Sequence, residues 1–571
     1  MAPGVLHPTT WVPYLPWIGV AYIIKDAQAP LFKGPYKSLV AFVSLALYAI
    51  ASIWQNQVTR IVPEPYLDEI FHIPQAQAYC VGDFHIWDPK LTTPPGLYAF
   101  ATIFGNLGGI RNCDVFTLRL FNTLVLVLTM SYASSCRGLI NRLSNASALK
   151  ISPDTLHTAF NIALFPPLFF FSGLFYTDVL STCLVLRMYK LFLQRERGVW
   201  LYVAGVLALT MRQTNIFWVA VYMGGLEVVR TLQDIQPSPL KETSEPKTWK
   251  ETVISTFRRY ARGEIHDIPL QDAEIHDFAL CALSIGIATL SHPLLILSRI
   301  WPYIALLLSF GVFVFWNGGV VLGDKSNHVA TIHIPQLLYL WPFITFFSFP
   351  LLLPSALSLL HFLATPILSL LPRRAQKQNP PSPTSPTFKT LLLLLLPLPP
   401  LLLIIKHNTL IHPFTLADNR HYMFYIFRYT ILRHPLIRYL LAPIYILCFY
   451  LVYRTTSSSP LPLPQQKQPQ KLQPTTPTTT TKTSSALLLL LATTLSLITA
   501  PLVEPRYFII PWVLWRLNLP SPSLRKSKSR ASRVLLETLW FLIVNLGTGY
   551  VFLYRGFEWE QERGRVQRFM W

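Results

Sequence analysis

Acidic residues are scarce in this 571-residue chain, with 27 Asp and Glu against 48 Lys and Arg, and only 13% of all residues are charged. That composition argues against an ordinary soluble surface and makes each carboxylate worth locating. Cysteines are few as well: six are scattered with no CxxC spacing, so no zinc or iron–sulfur site is signalled. The apolar segments lack the short polar–apolar alternation of barrel strands. No internal repeat is visible, which weakens a transporter built from duplicated halves. The start of the chain has no basic region followed by a small-residue cleavage site, so the first spanning helix is expected to act as a signal anchor.

Apolar length is what the chain has in excess, at 52% hydrophobic residues. Runs at 37–57, 116–135, 158–176, 213–230, 302–322, 334–353, 388–405, 435–453, 486–502 and 535–554 are near the length that crosses a hydrocarbon core, about 20 helical residues. With shorter or fused runs added, about 12–14 crossings are expected. Backbone groups in lipid must pair within their own segment, so the expected fold is an all-α integral membrane protein. One multi-pass membrane domain is expected over 1–571, with disordered cytosolic loops near 373–389 and 454–485, which are rich in Pro, Ser, Thr and Gln.

The net charge of +21 resides largely in loops. Three of them, 373–389, 454–482 and 524–533, hold Lys and Arg with no acid, and such loops stay in the cytosol. The excess charge therefore reports on topology and membrane lipids, with no nucleic-acid partner implied. Helix parity puts 407–421 and 504–507 on the opposite face. The segment 231–277 has mixed charge and is expected to form amphipathic surface helices. Cys80 and Cys113 flank the first non-cytosolic region; a disulfide between them is one option, two free thiols the default. Asn145-Ala146-Ser147 is a glycosylation triplet, although it lies among basic residues.

Polar clusters break the apolar pattern at five places. The densest is Glu64-Pro65-Tyr66-Leu67-Asp68-Glu69-Ile70-Phe71-His72, with three acids and a histidine in nine residues. Next comes Trp87-Asp88-Pro89-Lys90-Leu91-Thr92-Thr93-Pro94-Pro95-Gly96-Leu97-Tyr98, whose Pro-Pro-Gly opens an apolar segment. Arg212-Gln213-Thr214-Asn215 follows, then Asn317 to His328 with Gly323-Asp324-Lys325, and last Ala417-Asp418-Asn419-Arg420-His421-Tyr422 with Glu504-Pro505-Arg506-Tyr507. Each cluster alone reads as a solvated loop, a snorkelling cation or a helix cap. Together they supply cations for phosphate, hydrogen-bonding side chains for sugar hydroxyls, and carboxylates for proton transfer.

These motifs, in order from Pro65 to near Asn518, resemble those of the DIE2/ALG10 family. The resemblance implies a polytopic GT-C-type glycosyltransferase of the endoplasmic reticulum membrane, with its active site facing the lumen. It implies dolichyl-phosphate glucose as donor and a diglucosylated dolichyl-diphosphate oligosaccharide as acceptor, which receives its third, terminal glucose in alpha-1,2 linkage with inversion. Asp68 is the expected base, Glu69 the runner-up and Asp88 a third candidate. Tyr66, His72, Asp88, Thr92, Thr93, Arg212, Gln213, Asn215, Asp324, Lys325, His328, Asp418, Asn419, Arg420, His421, Glu504 and Arg506 are expected to bind substrate. No metal or other cofactor is expected, because fixed cations can compensate a leaving monophosphate. A lipid-linked sugar flippase or a regulatory membrane protein is the alternative; a flippase needs polar groups deep within helices.

Overall fold

Proline, glycine and polar residues cut the apolar runs into helices of unequal length, and the breaks position the site. The computed structural model describes residues 36–107, 113–144, 152–235, 248–325, 331–369, 394–458, 481–500, 502–520 and 527–571. His328, the Asn145 triplet, the loop at 373–389 and most of 454–485 lie outside these residues. From Ser527 onward the basic segment at 524–533 is the first turns of a helix, Ser527–Tyr554.

The described chain is helical apart from a two-residue antiparallel ribbon, β1 (Phe557–Glu558) with β2 (Val566–Gln567). Among the described residues, five helices are long and apolar enough to cross a membrane: Lys37–Ile61, Val115–Leu143, Pro293–Asn317, Ile437–Thr456 and Ser532–Tyr554. Two bent pairs, Pro166–Ser172 with Thr177–Leu193 at 117° and Pro335–Phe347 with Phe349–His361 at 99°, raise the number to as many as seven if each pair is one broken span. Three more apolar helices, Val199–Leu209, Ile275–Ser291 and Thr483–Leu497, are shorter than a full span. The expected count of about 12–14 rests on apolar runs; where a run is broken or short, helix length alone no longer defines a crossing.

The chain divides into two compact units, one of Met1–Val329, Gln470–Ser496 and Ile509–Asn518, the other of Ala330–Pro469, Leu497–Phe508 and Leu519–Trp571. The first includes the helices α1 (Lys37–Ile61), α2 (Glu69–Cys80), α3 (Gly96–Leu107), α4 (Val115–Ser144), α5 (Pro153–Leu164), α6 (Pro166–Ser172), α7 (Thr177–Leu193), α8 (Val199–Leu209), α9 (Met223–Ile235), α10 (Trp249–Ala261), α11 (Ile275–Ser291) and α12 (Pro293–Asn317), and also Ile509–Asn518 and nearly all of Thr483–Leu497. α4 is the centre, packed against α1, α5 and α7. α5 starts where Ser152 caps the Thr155 amide and Pro153 supplies a first-turn residue with no orphan N–H.

The bend between α6 and α7 is built from both sides. A Cβ at Gly173 would lie 2.5 Å from Trp54 Nε1, so only glycine fits beneath that indole. Trp54 in turn donates to the Phe170 carbonyl at 2.9 Å. On α4, Asn122 donates to the Leu174 and Tyr176 carbonyls at 2.7 and 2.8 Å, and Thr123 to that of Ser172 at 3.1 Å. The carbonyls freed by the bend are thus satisfied within the protein, as a break among apolar helices requires. A disulfide joins Cys80, at the end of α2, to Cys113, just before α4, so the default of free thiols does not hold for this pair. Sequence spacing gave no sign that the α2–α3 hairpin brings them together.

In the second unit, Leu338, Leu401, Ile405, Ala442, Tyr445 and Ile446 form a core. The C-terminus is tied down there: Met570 N–H donates to Arg420 O at 2.9 Å, and Tyr422 N–H to Met570 O at 3.2 Å.

Candidate active site

Glu69 is fully buried, and both its oxygens are engaged. Oε1 accepts from Arg119 Nε at 3.0 Å and the Phe175 amide at 2.7 Å, while Oε2 accepts from Arg119 Nη2 at 2.6 Å and the Tyr66 amide at 3.1 Å. Arg119, equally buried, also donates to the Val62 and Glu64 carbonyls at 2.7 and 3.1 Å. One guanidinium thus binds the loop before α2, the first turn of α2 and, through Glu69, the bend before α7. This bidentate geometry is specific to arginine; a lysine ammonium does not match a carboxylate in that plane. The arrangement makes Glu69 a structural anchor, leaving none of its four principal acceptor positions for a substrate proton.

Asp68, the preceding residue, is half-buried and caps no helix amide with its side chain. Its amide donates to Tyr176 Oη at 3.1 Å. Leu67 before it has φ +52°, a left-handed backbone that a branched side chain rarely adopts. Such a conformation costs about 1–3 kcal/mol and persists where the surroundings over-determine it. Here the Glu69 bond to the Tyr66 amide and the Tyr176 bond to the Asp68 amide bracket it. The loop turns Asp68 and Glu69 to different neighbourhoods, as adjacent residues about 100° apart at a helix start must be.

A polar wall stands beside Asp68. His72 Nδ1 meets Tyr98 Oη at 2.8 Å, both nearly or fully buried. Burial pushes the Tyr98 hydroxyl well above its ordinary pKa, and the carboxylates of Asp88 and Asp68 add to this. Tyr98 therefore keeps its proton, and its hydroxyl and the imidazole share one hydrogen bond. Gln75 clamps the next loop, donating to Ile86 O at 2.7 Å and accepting from the Asp88 amide at 2.9 Å. Asp88 Oδ1 accepts from the Lys90 amide at 2.9 Å, the local turn that acids at such positions favour. Tyr66 is buried, and Thr92 and Thr93 are half-buried at the entrance to α3.

The third and fourth clusters join this loop. Gln213 donates to Thr92 O at 2.8 Å, and the Leu322 amide donates to the same carbonyl at 3.1 Å. The Asp324 amide donates to Pro89 O at 2.7 Å. Gly323, at φ +62°, lies between: a Cβ there would sit 2.2 Å from Pro89 O, so no other residue allows the approach. Arg212 starts the tight turn Gln213–Asn215, which runs into a π-helix, Phe217–Tyr222. Its Nη2 is 2.9 Å from Asp178 Oδ1, and its Nε donates to Thr177 at 3.0 Å. Asp178 is buried, and the Arg212 side chain keeps 17% of its surface open. Asn215 is fully buried and bonds Ser181 and the Ala208 carbonyl, a tie between α7 and α8. Lys325 directs its ammonium at the Asn317 carbonyl, the C-terminal end of α12, which favours a cation.

Asp418, Asn419, Arg420, His421, Glu504 and Arg506 fold in the second unit. Arg420 and Asp418 form a bidentate pair, 2.8 Å at both contacts, and Arg420 Nη1 donates to Gln567 at 3.1 Å. Burial alone would raise the Asp418 carboxyl; the bonds from Arg420 and the nearby His421 outweigh it and hold the group below its ordinary pKa. Arg506 pairs with Glu504 at 2.7 Å. Asn419 and His421 are half-buried, and His421 Nδ1 lies 3.2 Å from Trp571 O.

Arg119, Tyr176, Asp178 and Gln75 carry much of this geometry and were not among the sequence candidates. Two had signals. Asp178 is the only acid between Asp154 and Glu196, and Arg119 is a cation at the start of an apolar run. Glu69→Gln should leave Arg119 buried without its counter-charge, a loss on the order of 3–5 kcal/mol. Thermal unfolding in detergent should show a large drop for Glu69→Gln and for Arg119→Ala, with turnover falling in parallel. Wild-type stability in Glu69→Gln would contradict the anchor.

The family model described as "DIE2/ALG10 family" matches residues 62–517. A Neurospora crassa protein is 37% identical, with 92% of this chain and 93% of that protein aligned, and one from Gibberella zeae is 38% identical over 97% and 96%. A Rattus norvegicus protein is 30% identical over 92% and 97%. All three are named Dol-P-Glc:Glc(2)Man(9)GlcNAc(2)-PP-Dol alpha-1,2-glucosyltransferase. No solved structure matches. With most of its length matched, in the region that contains every described loop of the site, the chain belongs to the DIE2/ALG10 family.

Proposed function

We propose that this chain transfers glucose from dolichyl-phosphate glucose to dolichyl-diphosphate-linked Glc2Man9GlcNAc2, forming an alpha-1,2 bond. The observation that carries this is the near end-to-end similarity to glucosyltransferases from fungi to rat. A flippase finds no comparable support.

Transfer from a beta-linked donor to an alpha-linked product is one displacement with inversion. The acceptor 2-hydroxyl oxygen forms a bond to the anomeric carbon as the bond from that carbon to the phosphate oxygen breaks. The hydroxyl proton goes to a carboxylate, and the leaving phosphate takes the bonding electrons. Asp68 is the base, because its neighbour Glu69 is saturated by four donors and Asp68 is half-open beside the polar wall. Arg212 is the cation for the phosphate. Asp178 and Thr177 fix the plane of its guanidinium through Nη2 and Nε, and other N–H groups of the fork remain for an anion. Fixed cations compensate a monophosphate without a metal.

Asp68→Asn should lower kcat by about 10²–10⁴ with unchanged thermal unfolding. Turnover within a few-fold of wild type would transfer the role to Asp88. Arg212→Gln should weaken donor use about ten- to a hundred-fold, the equivalent of roughly 1.5–3 kcal/mol for a charge-assisted bond. EDTA should leave turnover unchanged, and restoration of a lost activity by a divalent ion would make the acids candidate ligands instead.

We place the site on the lumenal face of the endoplasmic reticulum. The Cys80–Cys113 disulfide supports this, since such bonds persist in oxidising compartments. In sealed microsomes, a cysteine introduced at Lys90 should resist a membrane-impermeant maleimide until the membrane is opened. Cys80 and Cys113 should react only after reduction. Labelling of position 90 from the cytosolic side would put the site on the wrong face.

A further inference from the structure

α10 is a helix with no place in the reaction above. It is well formed: Thr248 and Glu251 make a reciprocal capping box, each bond 3.3 Å. Gly263, at φ +98°, ends it, and the Glu264 amide closes back on the Arg259 carbonyl at 3.2 Å. Yet it exposes Trp249 (73%), Val253 (57%), Ile254 (51%) and Phe257 (56%). At about 100° per residue these four fall on one arc of roughly 140°. Arg258, Arg259 and Arg262 lie outside that arc, and Lys250 reaches from within it. Arg259 is paired with Glu264 at 2.7 Å, while Lys250, Arg258 and Arg262 are exposed.

Four of the thirteen residues of α10 are charged, so it is no crossing. Nor is it an ordinary solvated helix, since its large apolar side chains lie together on one exposed arc. A basic polar face and an apolar face headed by Trp and Phe is the pattern of a helix lying flat in a bilayer interface. Its surroundings fit. α10 packs on α11, and α11 runs into α12, a helix of membrane-spanning length, across the single residue His292. Leu290 and Leu294 flank that junction with 82% and 83% of their surfaces open, so the apolar surface continues from the spanning helix toward α10.

We infer that α10 is an interfacial helix that docks on an anionic lipid leaflet. Trp249, Val253, Ile254 and Phe257 enter the acyl boundary, and Lys250, Arg258 and Arg262 meet the headgroup charge. The buried Tyr260 holds the helix to the protein, so docking ties α11 and α12 to the plane of the leaflet.

The full-length protein in lipid nanodiscs tests this. The free cysteines Cys136, Cys183, Cys281 and Cys448 are buried, so a fluorophore on an added cysteine reports its own position. Ile254→Cys and Phe257→Cys are compared with Thr252→Cys on the opposite side, using lipids with a nitroxide high on the acyl chain. In discs of phosphatidylcholine with phosphatidylserine, quenching at 254 and 257 should exceed that at 252 about two-fold or more. Discs of phosphatidylcholine alone should reduce the difference, as should K250E with R258E and R262E. Equal quenching at all three positions overturns the docking. So does shielding of 254 and 257 from an aqueous quencher without lipid quenching, which marks a protein partner. Quenching indifferent to phosphatidylserine overturns the anionic preference. The lipid comparison uses no charge variant, so it stands even if the reversed chain fails to fold.

Discussion

The Glu69–Arg119 ion pair is the contact on which the geometry of the site depends. It joins segments that sequence keeps far apart: the loop before α2, the start of α2, the first turns of α4 and the bend between α6 and α7. Burying two charges is expensive, and a buried pair is weak evidence for net stability. Its value here is geometric. Backbone groups of Val62, Glu64, Tyr66 and Phe175 bond to the outer positions of the pair, so it fixes backbone positions as well as neutralising itself. Without it, the bend carbonyls would still find Asn122 and Thr123, while the loop that presents Asp68 would lose its main tether.

That tether explains how a strained residue is tolerated next to the proposed base. Leu67 sits in a left-handed conformation between two held amides, those of Tyr66 and Asp68. The strain separates two adjacent acids into different environments. One carboxylate is saturated and buried, and the other is half-buried and close enough to Tyr98 for its charge to act on that hydroxyl. Preorganisation of this kind lets a carboxylate meet a proton without rearranging at the moment of transfer.

Much of this was legible from composition. Charges are rare enough that each polar cluster stood out, and those of the first unit do converge: Thr92, Gln213, Leu322 and Asp324 meet through backbone carbonyls. The all-helical fold followed from apolar length. What the sequence hid were pairings across distance. Glu69 finds Arg119 50 residues on, and the Asp68 amide finds Tyr176 108 residues on. Nothing local in the sequence says which distant group Arg119 or Tyr176 will meet, and which of two neighbouring acids is sequestered depends on them. Span counting suffered for a related reason: the 117° bend between Ser172 and Thr177 barely alters composition while it splits the segment into helices of 7 and 17 residues.

The same sorting of charge extends to Arg212. In the proposed reaction, the cation that holds the departing phosphate must be fixed without being neutralised out of use. Asp178 sets its plane from the buried side at 2.9 Å, and Thr177 adds a neutral acceptor at 3.0 Å. A lone buried acid behind a partly open arginine favours the charged guanidinium and fixes its orientation, whereas a second acid would compete with the phosphate for its donors. The local dielectric is low among apolar helices, so each such contact carries more weight than in water. Under the proposed reaction the few acids of the first unit divide their tasks: Glu69 anchors, Asp68 takes the proton and Asp178 lies behind Arg212, each held apart from the others by backbone that the fold has already bent.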